Sequence, residues 1–395
     1  MGEWSRMRLD EVTLMITDGA HHSPTEYKNG YPMFSVKDMG EQGFICNNTK
    51  TISEDDYVKL IASGCQPKVD DILIAKDGSV LKHIFRVKDK PNYVLLSSIA
   101  IIRPKSSLVD PAFLVYAFKE PSTKDLILSN FVGGSGVPRI ILKDFKKIEF
   151  NIPNLKTQRA IAEVLSSLDD KIDLLHRQNR TLEQMAETLF RQWFVEEAKE
   201  DWEVKTFYDS IKLVGGGTPK TSIDEYWNGE IKWLSGGDIA SNHKSVVTTT
   251  ERNISELGLL NSSAKLLPKY STVISARGTV GKYCILSEPM AFSQSNYGIL
   301  PVIEGCEFFT YLLVNYAVEE LKSGAYGSVF DTITTDTFKN IKYGMPSTEE
   351  ILEIEHIIRP MFIKVLNNSL QLNTIEKLRD TLLPKLMSGE VRVKI

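Results

Sequence analysis

Residues 153–194 constrain this chain more than any other stretch, because they occur twice. The first copy opens PNLKTQRAIAEVLSSLDDKIDLL and closes RTLEQMAETLFRQWF; the second opens at Pro346. At that fixed offset of 193 residues, Lys171 falls on Lys364, Gln178 on Gln371, Thr181 on Thr374, Glu183 on Glu376 and Leu189 on Leu382, with no gap. In the first copy Ile161, Leu165, Leu168, Ile172, Leu175, Asn179, Leu182, Ala186, Leu189 and Trp193 follow one another at alternating steps of four and three, the period of a coiled-coil seam. The second copy keeps the stripe with two polar interruptions, Asn368 and Arg379.

Two such seams predict one coil, and if its helices pair antiparallel, partners have a constant sum of residue numbers. The sum of 547 that sets Asn179 opposite Asn368 also sets Leu175 opposite Leu372, Leu182 opposite Val365 and Leu165 opposite Leu382. A buried seam asparagine that finds a partner costs stability but fixes register and orientation; the plainer reading is an asparagine solvated at a frayed seam. Pro360 lies inside the second copy and removes a helical hydrogen bond, so the second helix is expected to start late or to bend there.

The stretches before each helix also echo each other. YPMFSVKD at residues 31–38 resembles IKWLSGGD at 231–238, KDGSVLK at 76–82 resembles ARGTVGK at 276–282, and 134–153 aligns on 327–346. Short apolar runs such as DDILIA and NYVLLSSIAIIRP, broken by Gly, Pro, Asn and Asp, with a helical candidate at PAFLVYAFKEP, read as a mixed α/β (α+β) domain. The expected layout is a tandem repeat: a globular domain at 1–152, a long helix at 153–198, a second domain at 199–345, and a second helix with a tail at 346–395.

Composition matters here mainly for what it excludes. No run of about twenty apolar residues offers a membrane span, and MGEWSRMRLDEV has no apolar signal-peptide core, so the cytoplasm is the expected location. Cys46, Cys65, Cys284 and Cys306 form no C-x-x-C pair and the six histidines show no ligand spacing, which argues against a zinc site or disulfide framework and for packing roles. The formal net charge of −4 neither supports nor excludes nucleic acid, since phosphate contacts depend on a local basic surface.

A search for catalytic chemistry comes back empty. GGGTPKTS at 215–222 and RGTVGKY at 277–283 are not P-loops, because Pro219 precedes Lys220 and Tyr283 follows Lys282. Asp169-Asp170-Lys171 has the D-x-K spacing of some nucleases but lies on the long helix, where a solvated face is expected. No N-P-P-Y or D-P-P-Y tetrapeptide of a DNA methyltransferase occurs. What remains is a set of loops carrying basic, amide and hydroxyl side chains at matched places: His21, His22 and Ser23 against Thr218 and Lys220; Lys76, Ser79 and Lys82 against Arg277, Thr279 and Lys282; Ser135 and Arg139 against Ser328 and Thr332. These are donors able to read base edges or hold phosphates, although each alone reads as a solvated loop side chain.

With these residues in view, nearly the whole chain resembles the specificity subunits of type I restriction-modification systems. The resemblance rests on P-x-x-x-x-Q-R-x-I-A-x-x-L-x-x-L-D-x-x-I at 153–172, on LLPKLMSGEV at 382–391 and on the GGGTPKT loop. The second helix departs from the pattern, with Ile351 and Phe362 in the places of Gln158 and Asp169. The resemblance implies two target recognition domains, each reading half of a split site in double-stranded DNA. It implies no catalytic residue and no cofactor in this chain, and as partners two DNA methyltransferase subunits and restriction (motor) subunits, to which S-adenosylmethionine, ATP and Mg would belong. The rival expectations are a non-catalytic coiled-coil adaptor whose domains bind proteins, and an enzyme acting alone.

Overall fold

The computed structural model describes residues 4–134, 136–325 and 332–394. Packing divides the chain into two compact units, 1–171 with 375–395, and 172–374. Each combines an α/β globular part with segments of both long helices.

In the first unit a four-stranded antiparallel sheet runs in the order Thr13–Asp18, Ile99–Pro104, Ile72–Ala75, Ile84–Arg86. A smaller sheet sets Tyr31–Phe34 between Thr51–Ile52 and Val94–Leu95, the latter parallel. Ile72–Ala75 is buried along its whole length, as a central strand packed on both faces must be. One face carries Ile72, Ile74 and Ile102 into a core with Phe113, Phe118 and Phe145, which the long helices complete with Ile161, Leu165, Leu383 and Leu386. Helix Pro111–Lys119 supplies Phe113 and Phe118, and the short helix Leu142–Phe145 supplies Phe145; the first is followed by another, Pro121–Phe131, which the pattern of apolar residues does not suggest.

The second unit repeats the plan. Ile211–Gly215, Asn296–Pro301, Thr272–Ser275 and Tyr283–Leu286 are antiparallel neighbours, with Val246–Val247 added parallel at the edge. The register repeats as well: Asp18 lies opposite Ala100 and Ala100 opposite Ile74, while Gly215 lies opposite Tyr297 and Tyr297 opposite Ile274. Its core joins Ile274, Ile285, Phe308 and Phe338 to Ala186, Phe190, Ile354 and Phe362 of the long helices.

The first long helix, Leu155–Arg191, opens with the Asn154 carboxamide oxygen accepting from the Thr157 N–H at 3.0 Å and closes in a π-helical turn, Gln192–Glu196. The second, Thr348–Ser388, opens with a reciprocal cap, Ser347 N–H to the Glu350 carboxylate at 2.8 Å and Glu350 N–H to Ser347 Oγ at 3.3 Å. It stops where Gly389 turns left-handed, at φ +77°. Contrary to expectation it does not start late at Pro360: the helix runs through that residue. Pro360 and His356, whose carbonyl loses its helical partner, are both exposed, so the missing bond falls on the solvent side of the helix. Within the second unit the two helices meet at the seam asparagines, where Asn368 Nδ2 donates to Asn179 Oδ1 at 2.8 Å with both residues buried.

Asp169 is not on a solvated face. The residue is 8% exposed, and its carboxylate accepts from the Tyr116 hydroxyl at 2.9 Å and pairs with Arg379 at 3.1 Å; only its neighbour Asp170 is exposed. Cys65, Cys284 and Cys306 are buried packing residues, whereas Cys46 is exposed.

Candidate nucleic-acid interface

The matched loops gather at one end of each main sheet, beyond Asp18 and Ala75 in the first unit and beyond Gly215 and Ser275 in the second. Their backbones are held alike. Ala20 N–H reaches Leu95 O at 2.8 Å, and Gly217 N–H reaches Phe292 O at 2.9 Å. The residue before each must be glycine, since a Cβ on Gly19 would stand 2.1 Å from Leu95 O and one on Gly216 2.2 Å from Ser293 O. In the next loop Ser79 N–H bonds Asp77 O and Leu81 N–H bonds Ala75 O, both at 2.9 Å; Thr279 to Arg277 and Gly281 to Ser275 repeat both bonds at 2.9 Å. Gly78 and Gly278 are left-handed at φ +73° and +74°. A third loop closes each cluster through Ile140 N–H to Lys76 O and Ile333 N–H to Ala276 O, both at 3.0 Å.

The side chains on this common frame differ. His21 is exposed, with Nε2 3.2 Å from Asp18. Lys76 is not the exposed donor expected of it: it is buried, with Nζ 3.3 Å from Asp18 and 3.0 Å from Asp77. Burying an ammonium requires such pairing, so its charge is consumed inside the loop. Ser79, Lys82 and Arg139 are exposed, and Arg139 is tied by its backbone to Gly133 and beside Asp77. His22 is exposed, while Ser23 Oγ accepts from Lys50 Nζ at 2.6 Å. Ser135 and Ser328 lie outside the described residues.

In the second unit Trp233 Nε1 donates to Gly217 O at 3.0 Å and Trp227 Nε1 to Lys220 O at 3.2 Å, pinning both ends of the loop that carries Thr218 and Lys220. Thr218 Oγ1 donates to Gln294, Pro219 is buried, and Lys220 is exposed. Arg277 and Thr279 are exposed; Lys282 and Thr332 are half-buried. The bonding pattern sets Ala276, not Arg277, in the place of Lys76, and Arg277 in the place of Asp77.

Sequence reasoning missed Asp18, Asp77, Lys50, Gln294 and a basic patch around His243. The His243 imidazole is pushed below its ordinary range by burial and then by Lys282, Lys244 and Lys322. In the first unit the His83 imidazole is also lowered by burial, but there Glu41, with Oε1 3.7 Å from Nδ1, opposes Lys82. The second patch gathers three lysines around the imidazole, of which Lys322 pairs with Glu319 at 3.1 Å. The three lysines are scattered along the chain, so no run of basic residues announced them. Among the described residues no group of three or more His, Cys, Asp or Glu side chains could hold a metal, and no helix is long and apolar enough to cross a membrane.

Comparison with known proteins agrees with this layout. The model of the type I restriction modification DNA specificity domain matches twice, at residues 1–184 and 199–377. The specificity subunit of the type I restriction enzyme HindI from Haemophilus influenzae is 25% identical, over 99% of this chain and all of that protein. The MjaIX specificity subunit from Methanocaldococcus jannaschii is 28% identical, over 74% of this chain and 72% of that one. Among solved structures, the S subunit of a type I restriction-modification system from M. genitalium shares the fold, with a TM-score of 0.67, 17% identity, and coverage of 100% of this chain and 97% of that one.

Proposed function

The chain belongs to the type I restriction-modification DNA specificity family, and from that premise we propose that each of its two loop clusters reads one half of a split DNA target. It is a specificity subunit: it recognises DNA and leaves the chemistry to other subunits. The observation that carries the two-cluster reading is one backbone frame, repeated bond for bond at the ends of two sheets, bearing different side chains. A rigid scaffold with changeable tips is what sequence readout requires, because base contacts specify while the frame positions.

On this reading residues 1–152 and 199–345 are the target recognition domains, and 153–198 and 346–395 are spacer helices whose register Asn179 and Asn368 set. The exposed candidates His21, His22, Ser79, Lys82, Arg139, Lys220, Arg277 and Thr279 face DNA. Two DNA methyltransferase subunits and restriction subunits assemble around the chain in the cytoplasm, carrying S-adenosylmethionine, ATP and Mg. With a net charge of −4 the isolated chain binds duplex weakly and depends on its partners for further phosphate contacts.

The deciding experiment replaces residues 1–152 with those of a relative and maps methylated sites made by the assembled methyltransferase. One half of the methylated sequence should change and the other should not. A change in both halves would overturn the assignment of one half-site to each domain.

A further inference from the structure

At one position the two loop clusters carry opposite charges on the same backbone. Asp77 and Arg277 each precede a left-handed glycine, and the carbonyl of each accepts the N–H two residues on at 2.9 Å. In the first unit Asp77 and Asp18 both pair with buried Lys76, which uses up that cation inside the loop. In the second unit Gly215 stands in the place of Asp18 and Ala276 in that of Lys76, so those two positions supply neither a competing cation nor an acidic neighbour. Arg277 is exposed and has no ion pair among the described residues.

The floor beneath it has changed in step. Val36, Ala75 and Ile99 belong to one apolar cluster in the first unit; their counterparts in the second are Gly236, Ser275 and Asn296. A Cβ on Gly236 would stand 3.8 Å from Ser275 Oγ, 3.8 Å from Thr279 Oγ1 and 4.0 Å from Asn296 Oδ1. The two hydroxyls brace the loop from below: Ser275 Oγ donates to Arg277 O at 3.1 Å, and Thr279 Oγ1 lies 3.0 Å from Ser275 Oγ and 3.3 Å from Gly236 O. The loop that carries Arg277 is therefore tied by hydroxyl groups that bond its backbone, where the first loop is tied by the ion pairs of buried Lys76. A guanidinium on a braced stem loses less entropy on binding.

We propose that Arg277 is a specificity-determining residue that reads a guanine in the half-site of the second domain. Its planar fork of donors matches two acceptors side by side, and only guanine, with O6 and N7, presents such a pair in the major groove. The first domain does not read guanine through this position, because Asp77 offers acceptors only. The inference rests on the DNA-reading function above.

The test uses the complete chain assembled with its methyltransferase. Methylated sites are mapped for the wild type, for Arg277→Ala and for Arg277→Lys, and affinities are measured on duplexes carrying the mapped site. The expected result is a G·C pair in one half-site at which Arg277→Ala loses about 10- to 100-fold in discrimination, with the other half-site unchanged. Replacing that guanine by 7-deazaguanine should weaken the wild type and leave Arg277→Ala unaffected. Arg277→Lys, which keeps the charge but not the fork, should fail to restore the preference. Because Arg277 is exposed, the variants should melt with the wild type. Equal weakening on all sequences would mark a phosphate contact and overturn guanine reading, as would an affected half-site lacking guanine on both strands. A wild-type complex that prefers no split site would instead overturn the DNA-reading function itself.

Discussion

Tyr116 and Tyr311 occupy matched places where a globular helix packs on the long helices, yet their surroundings have opposite character. Around Tyr116 are Asp169 and Arg379, and the tyrosine hydroxyl donates to a carboxylate that an arginine also holds. Beside them lies a cavity of about 230 Å³, also lined by Lys82, Lys119 and Glu41, in which burial holds the Lys119 ammonium below its usual range. Around Tyr311 the offset of 193 puts Phe362 in the place of Asp169 and Ala186 in that of Arg379. Phe362 stacks on Phe308 at 4.9 Å and meets the Tyr311 ring edge-on at 5.4 Å, while Ala186 is 0% exposed. A duplicated junction has thus been solved once with a buried ion pair and once with apolar packing. Either works if complete, because a buried pair and well-packed hydrophobic side chains of similar volume are close in free energy, whereas half a pair is costly.

The largest effect should come from importing half of the polar solution. Phe362→Asp places a carboxylate where no arginine faces it and removes a stacked ring, so denaturant unfolding should show a loss of about 4 kcal/mol or more. Adding Ala186→Arg should recover part of that loss. A loss below about 1 kcal/mol would mean that the second junction admits water and is not the dry contact described. Next, Arg379→Ala strands the Asp169 carboxylate and should cost about 3 to 5 kcal/mol, while the double variant with Asp169→Leu should be closer to wild type than the single. Additive losses in that cycle would show that the two side chains do not act as a pair.

Smaller still is the seam. Asn179→Leu leaves the buried Asn368 carboxamide without its main partner and should cost about 1 to 3 kcal/mol. The Asn179→Leu, Asn368→Leu double variant should match or exceed wild-type stability while allowing other registers, which cysteine cross-linking across the seam would report.

The smallest effect is on pH dependence and sharpens the contrast in how the two units handle buried acids. Glu183, in the second unit, has its carboxyl pushed up to about 7 by burial and then by the charge of Glu187. Because this lies above the ordinary value of 4.5, the folded state favours the protonated form. Its contribution is complete below about pH 4.5 and is lost as the pH rises through about 7. Melting temperature should fall between pH 5 and 8, and Glu183→Gln should flatten that fall by about 2 to 4 °C. An unchanged profile in Glu183→Gln would assign the dependence to other groups, Glu355 first, whose carboxyl burial also raises to about 7.

Much of the architecture was legible because it is encoded locally and twice. The alternation of four and three that runs from Ile161 to Trp193 can be satisfied only by helices that share a seam, and a constant sum of residue numbers then leaves a single pairing for Asn179 and Asn368. Repeated loops such as KDGSVLK and ARGTVGK marked where the chain keeps a frame and varies its tips. Asp169 misled because on a helix wheel it lies beside the seam, and only the arrival of Tyr116 and Arg379 from distant parts of the chain buries and neutralises it.

The sequence by itself determined the duplication, the two helices, their register and the absence of a recognisable active site, since periodicity and repeat are properties of order along the chain. Only the tertiary structure decided which candidate donors are free. Lys76 and Arg277 looked alike as loop cations, but strand ends far apart in sequence bring Asp18 to one and leave Gly215 near the other. Burial and pairing of a charge depend on what the fold brings within a few ångströms of it, and no local pattern carries that information.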